Sequence, residues 1–432
     1  MSKRNENRPG YKKTRVGWIP EKWECTKLGI VVDFLDGKRI PLSEKERKNR
    51  QGRYPYYGAS GIIDYVDDYI FDDELILLGE DGANIIERSS PLAFIVRGKI
   101  WVNNHAHVLK PKGKNTIGFI CEYLESISYI KYNTGSAQPK LNQEVCQNIP
   151  IPLPPLPEQK KIAEILSAWD RAIEQVGKLI DAKQRLKKGL MQQLLTGRMR
   201  FPEFNHETHE RHEKDKGELP EGWIGRRLSS FGSFLKGKGI TNSEKKESGL
   251  PCITYGEIYT KHDFVIRQFF SFIDKNVSQK SQRIQRNDIL FAGSGETLDE
   301  IGKCVAYTKD IEAYAGGDVV IFRPKGVNPL YLSYSLNSDL LIRQKRKLGQ
   351  GHSVVHIYSA GLKTLQVPLP SLAEQIRIAA VLSACDRGIE LLKKKQEKLK
   401  EQKKGLMQKL LTGEVRHPKF LKDEPGGPNN ET

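Results

Sequence analysis

Two long stretches of the chain place apolar residues alternately three and four positions apart, which aligns them along one face of an α-helix. The pattern persists over several heptads and is narrow enough for the seam of a coiled coil. The apolar positions of the two seams are Leu166, Trp169, Ile173, Val176, Ile180, Leu190 and Leu194, and then Leu382, Cys385, Ile389, Leu392, Leu399, Leu406 and Leu410. We therefore predict two long helices that pair through these seams.

Both predicted helices lie in a duplicated segment. Residues 151–202 return as residues 367–418 at a constant offset of 216 without a gap, and 28 of the 52 aligned positions are identical. A repeat of this kind predicts two similar structural units related by a pseudo-twofold axis. Helices related in this way across their length run antiparallel, so we expect an antiparallel coiled-coil pair.

Two unlike blocks precede the repeats. The motif Pro-Glu-x-Trp opens both of them, at residues 20–23 and 220–223, but their contents, residues 41–149 and 241–366, share no obvious sequence. In both blocks, strand and turn signals alternate with short helical stretches. The predicted fold class is α+β, with two mixed α/β globular blocks separated by the two long antiparallel helices.

The order of segments follows from these patterns. A chain of 432 residues is too long for one ordinary core. We expect a tail (1–16), a first globular block (17–157), a first spacer helix (158–200), a linker (201–219), a second globular block (220–373), a second spacer helix (374–417) and a tail (418–432).

The balance of charge favours a polyanionic partner. The net charge is +17 and the pI is about 9.4, and basic residues cluster in residues 343–347 and 393–409. A lysine-rich solubility surface is the plainer explanation of such charge, but the clustering together with the repeat favours nucleic acid. No apolar stretch is long enough for a membrane span, and the six cysteines are scattered, so a cytoplasmic protein with reduced thiols is expected.

Three motifs, each present twice in register, carry a family resemblance. They are Pro-Leu-Pro-x-x-x-Glu-Gln at 152–159 and 368–375, Ile-Ala-x-x-Leu-Ser-Ala-x-Asp at 162–170 and 378–386, and Lys-Lys-Gly-Leu-Met-Gln-x-Leu-Leu-Thr-Gly at 187–197 and 403–413. With Pro-Glu-x-Trp and the glycine-containing segments 56–61 and 78–83 of the first block, the chain resembles the specificity subunit of a type I restriction-modification system.

The resemblance implies that the blocks are target-recognition domains and that the repeated helices are spacers. It also implies an interrupted double-stranded DNA site, with two methyltransferase subunits as partners and two restriction-motor subunits for cleavage. No cofactor is implied. Independently of the family, two unlike readers on a rigid spacer are expected to read two unlike half-sites. Trp169 is replaced by Cys385 in the second seam, so the two halves differ at that position.

Candidate DNA contacts lie at comparable places in the two blocks. In the first block they are Lys38, Arg39, Tyr54, Tyr56, Tyr57, Ser136, Gln138, Lys140 and Asn142, and in the second Lys236, Lys238, Arg343, Lys345, Arg346, Lys347, Gln350, His352 and Ser353. Amide side chains pair with adenine edges, and lysine and arginine bind phosphate or guanine. The alternatives are plain polar turns, buried tyrosines and ordinary surface charges.

Catalytic motifs are not apparent in the sequence. There is no amino-methyltransferase motif, no metal-ligand spacing, and the near-match to a phosphate loop at 232–239 lacks the required serine or threonine. A non-catalytic DNA-reading subunit is therefore the leading hypothesis. Two rivals stay open at this point: a coiled-coil scaffold without a nucleic-acid role, and a self-sufficient methyltransferase or nuclease.

Overall fold

A computed structural model of the chain describes residues 5–204, 219–351 and 354–421. The chain divides into two compact units. Unit 1 consists of Met1–Gly177 and Lys394–Thr432, and unit 2 consists of Lys178–Lys393. Each unit therefore contains part of both repeats.

Unit 1 holds the first block. Its strands are β1 (Tyr11–Thr14), β2 (Gly17–Pro20), β3 (Glu24–Lys27), β4 (Val32–Phe34), β5 (Gln51–Gly58), β6 (Gly61–Val66), β7 (Phe71–Gly79), β8 (Ala93–Val102), β9 (Ala106–Pro111) and β10 (Pro150–Leu153). Its helices are α1 (Leu28–Val31), α2 (Glu44–Asn49), α3 (Asn84–Glu87), α4 (Ile117–Ser126), α5 (Gln143–Gln147) and the start of α6 (Leu156–Leu194), with short 3-10 turns at Asp36–Lys38 and Ile130–Tyr132.

A six-stranded sheet forms the centre of this block, in the order β4-β9-β7-β8-β5-β6. Its pairs are antiparallel except for β5 and β8, which run parallel. In β7 the residues Leu75, Ile76, Leu77 and Leu78 are all fully buried, as expected of a strand covered on both faces. Alternate residues of β7 pack into different clusters: Ile76 and Leu78 lie with α4, whereas Leu75 and Leu77 lie on the other face.

Unit 2 holds the second block. Its strands are β11 (Ile224–Arg227), β12 (Gly232–Lys236), β13 (Leu250–Ile253), β14 (Ser271–Ile273), β15 (Gln282–Ile284), β16 (Ile289–Ala292), β17 (Ser294–Gly295), β18 (Cys304–Ala306), β19 (Ala313–Ala315), β20 (Val319–Pro324), β21 (Val355–His356) and β22 (Gln366–Leu369). Its helices are α7 (Tyr255–Thr260), α8 (Lys275–Lys280), α9 (Pro329–Leu336), α10 (Asp339–Arg346), α11 (Ser359–Leu362) and the start of α12 (Leu372–Leu410), with 3-10 turns at Pro202–Phe204, Leu228–Ser230 and Asn242–Glu244.

Two four-stranded sheets build the second block, in the orders β12-β20-β16-β18 and β14-β13-β19-β15. Strand β16 is entirely buried. Ile289 and Phe291 pack with residues of α9, whereas Leu290 and Ala292 face the cluster that contains Ile253 of the other sheet. The predicted α+β class is confirmed, although the two blocks arrange their sheets differently.

The frame around each block is the same. Strand β3 pairs with β10 with Glu24 opposite Leu153, and β11 pairs with β22 with Ile224 opposite Leu369. These registers are equivalent under the offsets of 200 and 216 found in the sequence. The proline-containing segment before each long helix is therefore a strand paired to the start of its own block.

The long helices begin and end close to the predicted residues. Helix α6 covers Leu156–Leu194 and α12 covers Leu372–Leu410. Each begins two residues before the expected start at 158 or 374, and they end six and seven residues before the expected 200 and 417. Gly197 and Gly413 adopt left-handed backbone angles (φ 66° and 70°) just beyond them, a conformation that suits a glycine after a helix end. All the apolar seam positions are buried or half-buried.

Within each unit the helices run antiparallel. In unit 1, Lys403 of α12 lies 2.7 Å from Asp170 of α6, and Gln396 donates to the carbonyl of Ile173 at 3.3 Å. In unit 2, Lys187 of α6 pairs with Asp386 of α12. Since 187 and 386 are the repeat equivalents of 403 and 170, both units use the same pair with the roles of the repeats exchanged.

A buried anchor closes each unit. In unit 1 the Arg416 guanidinium makes a bidentate pair with Glu158 at 2.7 and 2.9 Å, and Trp23 Nε1 donates to the same carboxylate at 2.9 Å. The tryptophan of Pro-Glu-x-Trp thus joins its block to the first turn of the helix. In unit 2 the Glu374 carboxylate takes the same place: Arg200 donates to it through Nε at 3.0 Å and Nη2 at 2.9 Å, and Trp223 donates through Nε1 at 3.2 Å.

Part of the expected N-terminal tail is folded. Residues Tyr11–Thr14 form β1, which pairs with β2, and the buried Tyr11 donates its hydroxyl to the carbonyl of Gly413. Arg8 Nη1 donates to the carbonyl of Glu414 at 2.9 Å, so the folded part of the tail contacts the end of the second repeat at two places. The second predicted tail begins with a 3-10 turn at Pro418–Phe420. Residues 1–4 and 422–432 of the two tails, and residues 205–218 of the predicted linker, lie outside the described residues.

Among the helices that the structure describes, none is both long and apolar enough to span a membrane. The described residues also contain no group of three or more histidine, cysteine, aspartate or glutamate side chains suited to a metal ion.

Candidate nucleic-acid interface

Four turns meet at one end of the six-stranded sheet of unit 1. They are the β5–β6 turn, the residues after β7, the β8–β9 turn and the loop formed by residues 133–142. Glu80 N donates to His105 O at 2.8 Å, Leu141 N donates to Glu80 O at 2.7 Å, and Gly82 N donates to Pro139 O at 3.1 Å. Asn103 N donates to Tyr57 O at 3.0 Å. The four turns are therefore neighbours, held together by backbone hydrogen bonds at this end of the sheet.

Loop 133–142 presents most of the predicted base-reading side chains of the first block. Asn133 organises it from within, because its Oδ1 accepts from Gly135 N at 3.0 Å and from Lys140 N at 2.8 Å. A Cβ on Gly135 would lie 1.8 Å from the Gln138 carbonyl oxygen, so the tight turn requires glycine. The side chains of Ser136, Gln138, Lys140 and Asn142 are all exposed.

Four charged side chains lie beneath this loop, and we call them the ion quartet: Asp36, Arg39, Glu80 and His107. Arg39 Nη1 donates to Glu80 Oε2 at 2.7 Å and to Ala106 O at 2.7 Å. His107 Nδ1 lies 2.6 Å from Asp36 Oδ2, and its Nε2 lies 2.8 Å from the carbonyl oxygen of Leu141. The quartet joins the start of the block, the end of β7 and loop 133–142.

His107 is a charged group inside the protein. Its side chain is 1% exposed. Burial alone lowers the pKa of His107, but its hydrogen bonds to Asp36 and Cys146 outweigh burial and raise the pKa to about 10. Both Asp36 and the Leu141 carbonyl accept hydrogen bonds only, so both ring nitrogens carry protons. Nearby Arg39 and Glu80 leave the quartet without net charge.

An exposed pair stands beside the loop. His105 Nδ1 lies 2.8 Å from Asp81 Oδ2, and the histidine side chain is 51% exposed whereas that of Asp81 is 23% exposed. Because an ionised carboxylate can only accept a hydrogen bond, it fixes Nδ1 as the donor and orients the ring with Nε2 available. Carboxylates accept from the exocyclic amine of cytosine, and histidine can bond to base edges, so this pair belongs to the candidate interface.

The predicted tyrosines differ in their accessibility. Tyr56 is 1% exposed, and its hydroxyl oxygen accepts from Leu42 N at 2.8 Å. Tyr57 is half-buried against Phe94, and burial raises the pKa of its phenol. Tyr54 is half-buried beside Tyr69. Of the three, Tyr56 is placed as a packing residue and lacks a free ring face for a base.

The predicted basic residues near the start of each block also differ in their accessibility. Arg39 is committed to the ion quartet, whereas Lys38, Lys236 and Lys238 are exposed. The two lysines of the second block flank Gly237, where a Cβ would lie 1.9 Å from the carbonyl oxygen of Gly316. These three lysines have accessible charge and stay candidate phosphate contacts.

The second block brings its candidate loop to a comparable place. Strand β17 follows the buried β16 and pairs with β21, with Ser294 opposite His356. Ser294 Oγ lies 3.0 Å from His356 Nδ1, and the exposed Tyr358 ring stacks on the His356 ring at 6.2 Å between centroids. In both units, then, the segment before the repeat lies against the end of a buried central strand.

Gln350 belongs to this second loop. It exchanges backbone hydrogen bonds with His356 at 2.9 and 2.7 Å, and its side chain is exposed. The predicted contacts His352 and Ser353 lie outside the described residues.

The basic run in α10 is only partly available to a ligand. Arg343, Arg346 and Lys347 are exposed, and Arg346 pairs with Asp299 at 2.8 Å. Lys345 is 2% exposed, and its ammonium group donates to Gly302 O at 2.7 Å. Burial lowers the pKa of Lys345 to about 8. This lysine fastens α10 to the preceding loop, and its charge does not reach the surface.

Sequence patterns did not identify Asp36, Glu80, Asp81, His105 or His107. One local signal was available, since Glu80 and Asp81 directly follow a buried strand that ends in glycine. The two histidines, two residues apart at the start of another strand, gave a second. Their partners lie 71 positions apart for Asp36 and His107 and 24 apart for Asp81 and His105, so the pairing itself follows only from the fold.

Comparison with known proteins places these features in a family. The model of the type I restriction modification DNA specificity domain matches residues 20–184 and 220–401, well over half of the chain. The chain is 29% identical over 423 residues to the type I restriction enzyme MjaVIII specificity subunit of Methanocaldococcus jannaschii, covering 92% of this chain and 94% of that relative. It is 27% identical over 361 residues to a putative type I specificity subunit of Haemophilus influenzae, covering 83% and 86%.

Solved structures agree on the fold. The crystal structure of the type I restriction-modification S subunit from M. genitalium superposes with a TM-score of 0.57 at 16% identity, covering 90% of this chain and 96% of that one. A chain described in connection with complex assembly and conformational transition of the type I restriction-modification system gives a TM-score of 0.50 at 17% identity, covering 92% and 99%.

Proposed function

The chain belongs to the type I restriction-modification DNA specificity family, and on that premise we propose that each of its blocks reads one half of an interrupted double-stranded DNA site. The first block does so through loop 133–142 and the turns beside it. The second does so through the segments around Gln350 and His356, which pair with each other. The long helices act in this proposal as the spacer that sets the unread gap between the half-sites.

The assignment rests on one observation: the two units have the same supporting structure but different polar loops. Both units contain the same strand pairing and the same arginine–glutamate–tryptophan anchor. In both, a polar segment lies against the end of a buried strand, yet one offers Ser136 and Gln138 and the other Gln350 and His356. A common frame with different polar tips suits the reading of two different short sequences.

The chemistry of the exposed groups fits double-stranded DNA. Amide side chains such as Gln138 and Asn142 can pair with adenine, and exposed lysines such as Lys38 and Lys236 can bind phosphate. The net charge of +17 favours association with a polyanion. His105 and Asp81 add a donor–acceptor pair at the same surface.

Chemistry on the DNA belongs to partner subunits. Specificity subunits of type I systems are non-catalytic, and methylation and cleavage come from the subunits with which they assemble. We propose one copy of this chain with two methyltransferase subunits, and with two restriction-motor subunits when DNA is cut. The duplicated frame supports this ratio, because each unit offers an equivalent set of helix contacts to a partner.

The decisive experiment maps methylated positions across the genome of a strain that carries this chain with its partner subunits. The expected result is an interrupted motif with two unlike halves. Exchanging residues 41–149 for those of a relative should then change one half only. A motif that changes in both halves, or in neither, would contradict modular reading.

The scaffold hypothesis makes a separate prediction. If the chain only assembled subunits, alanine at Gln138, Lys140, Arg346 and His352 would leave the methylation pattern intact. Family membership does not favour this alternative. Partner assembly measured by size-exclusion chromatography is the control, because it should be normal in these variants under either hypothesis.

A further inference from the structure

We propose that His107 is a positioning residue: paired with Asp36, it holds loop 133–142 in the conformation that reads the first half-site, without contacting DNA itself. This inference rests on the proposed function, because it assumes that the loop contacts base pairs. It assigns a role in DNA discrimination to a residue that lies inside the block.

His107 is bonded directly to the loop. Nε2 donates to the carbonyl oxygen of Leu141 at 2.8 Å, immediately after Lys140 and one residue before Asn142. The other ring nitrogen donates to Asp36 at 2.6 Å. Asp36 is itself fixed, since its second oxygen accepts from Val108 N at 2.8 Å. The imidazolium therefore ties the loop to strand β9 through charge-assisted hydrogen bonds, which are stronger than neutral ones.

Glu80 makes the second tie. Its backbone carbonyl accepts from Leu141 N at 2.7 Å, and its carboxylate lies 3.4 Å from Lys140 Nζ and 2.7 Å from Arg39. Leu141 is thus held by its N–H through Glu80 and by its carbonyl through His107. Two opposed bonds at one residue determine the direction in which the neighbouring side chains leave the backbone.

His107 is too deeply buried to contact DNA itself. Only 1% of the His107 side chain is exposed, whereas Gln138, Lys140 and Asn142 are exposed. Asp36 and Glu80 of the quartet and Cys146 of α5 face His107, and Arg39 contacts both of these carboxylates. Loss of the imidazolium would leave Arg39 as the only cation of the quartet, 3.7 Å from Asp36 and 2.7 Å from Glu80. One cation does not balance two largely buried carboxylates, and the loop can relieve the excess negative charge by moving away and admitting water.

The second block holds its loop by other means. There the segment is fixed by the β17–β21 backbone pairs and by the mutual bonds of Gln350 and His356. A buried histidine between an aspartate and the loop carbonyl is a feature of the first block in the described residues. The consequence of removing His107 should therefore be confined to one half of the DNA site.

The test compares His107→Gln, His107→Ala and Asp36→Asn with the unaltered chain, in each case assembled with the methyltransferase subunits. Binding is measured to the cognate duplex, to a duplex with the first half altered, and to one with the second half altered. The affinity for the cognate duplex divided by the affinity for the duplex with an altered first half should fall about tenfold or more, which corresponds to the loss of one charge-assisted hydrogen bond. The affinity for the cognate duplex divided by that for the duplex with an altered second half should be unchanged.

Hydrogen exchange provides the readout of position. The amides of Thr134, Lys140 and Leu141 donate within this network, and they should exchange faster in the variants while β7 stays protected. His262→Gln is the matched control, because His262 is also a buried histidine but lies in the second block beside Phe270. It should leave first-half discrimination and loop exchange unaltered.

The outcomes separate the two proposals. Equal loss of discrimination at both halves, or unchanged first-half discrimination with a loosened loop, would overturn the positioning role. If exchanging residues 41–149 changes neither half of the motif, the proposed function itself fails. If that exchange changes one half but the His107 and Asp36 variants discriminate like the unaltered chain, only the positioning inference fails.

Discussion

The guanidinium of Arg416 lies in a bidentate pair with the carboxylate of Glu158, 258 positions earlier in the chain, and both side chains are 3% exposed. One belongs to the end of the second repeat and the other to the start of the first. Arg200 and Glu374 form the reciprocal pair in unit 2. Neither unit can complete its anchor from a single repeat, so the duplication is a structural requirement of both blocks.

Removing Arg416 should destabilise unit 1 and spare unit 2. Arg416→Ala leaves Glu158 charged and buried, which costs about 3–5 kcal/mol when one partner of a buried pair is lost. Arg200→Ala should do the same to unit 2. Hydrogen exchange resolved by segment measures both effects.

The control for this prediction is Lys48→Ala, which breaks an exposed pair with Glu44 whose side chains are 71% and 72% exposed. Exposed pairs contribute little, so no resolvable change is expected. If Arg416→Ala and Arg200→Ala loosened the same segments, the assignment of one anchor to each unit would be incorrect.

The stability of unit 1 should fall as pH rises toward neutrality because of Glu122. Burial raises the pKa of Glu122 to about 7, Lys403 opposes that shift, and Asp170 adds to it. In the folded state Glu122 keeps its proton up to about pH 7, whereas in the unfolded chain it releases the proton near pH 4.5. The contribution of Glu122 to folding stability is therefore fully present below pH 4.5 and is lost as pH rises through about 7. Lys403 keeps Asp170 as a partner at 2.7 Å when Glu122 is neutral.

Glu122→Gln should therefore stabilise unit 1 at pH 8 by about 2 kcal/mol and by much less at pH 4. Urea unfolding at several pH values measures this change in stability, and hydrogen exchange of α4 shows whether it lies in unit 1. Glu397→Gln, at an exposed carboxylate, is the control and should leave the pH profile unaltered. A destabilising effect of Glu122→Gln at pH 8 would show that the carboxylate is needed in its charged form.

Replacing Gln138 or Lys140 by alanine should alter DNA binding in two different ways. Gln138→Ala is expected to relax selection at one base pair of the first half-site by about 1–3 kcal/mol. Lys140→Ala is expected to weaken binding to all sequences and to reduce the slope of log affinity against log salt by about 0.9. Titrations of cognate and altered duplexes at several salt concentrations distinguish the two. Uniform weakening by Gln138→Ala would place that side chain on the backbone of DNA.

The unread gap in the DNA site should follow the length of the long helices. Four residues inserted after Lys178 in α6 and four after its repeat equivalent Lys394 in α12 add about 6 Å of helix. The gap should lengthen by one or two base pairs, because base pairs are about 3.4 Å apart. Methylated-site mapping gives the answer, and an unchanged gap would exclude the helices as the spacer.

The sequence determined the frame of this protein. A gapless offset of 216 and the three- and four-residue spacing of apolar positions predicted the two long helices α6 and α12, because helical periodicity is a local property. Their C-terminal ends lie six and seven residues before the predicted ones. Pro-Glu-x-Trp marked both block openings, and the repeated motifs identified the family, which the comparisons confirm. The candidate loops followed from polar residues placed just before the repeats, and their DNA contacts stay predictions.

Only the tertiary structure decided which charges are available. By sequence, Arg39 and Lys345 look like surface cations, yet one is bound in the ion quartet and the other donates to Gly302 from a buried position. Asp36 and His107 gave no sign of their pairing. Such contacts join residues tens or hundreds of positions apart, and sheet order and strand register, which bring them together, are set by the packing of the whole unit rather than by any local pattern.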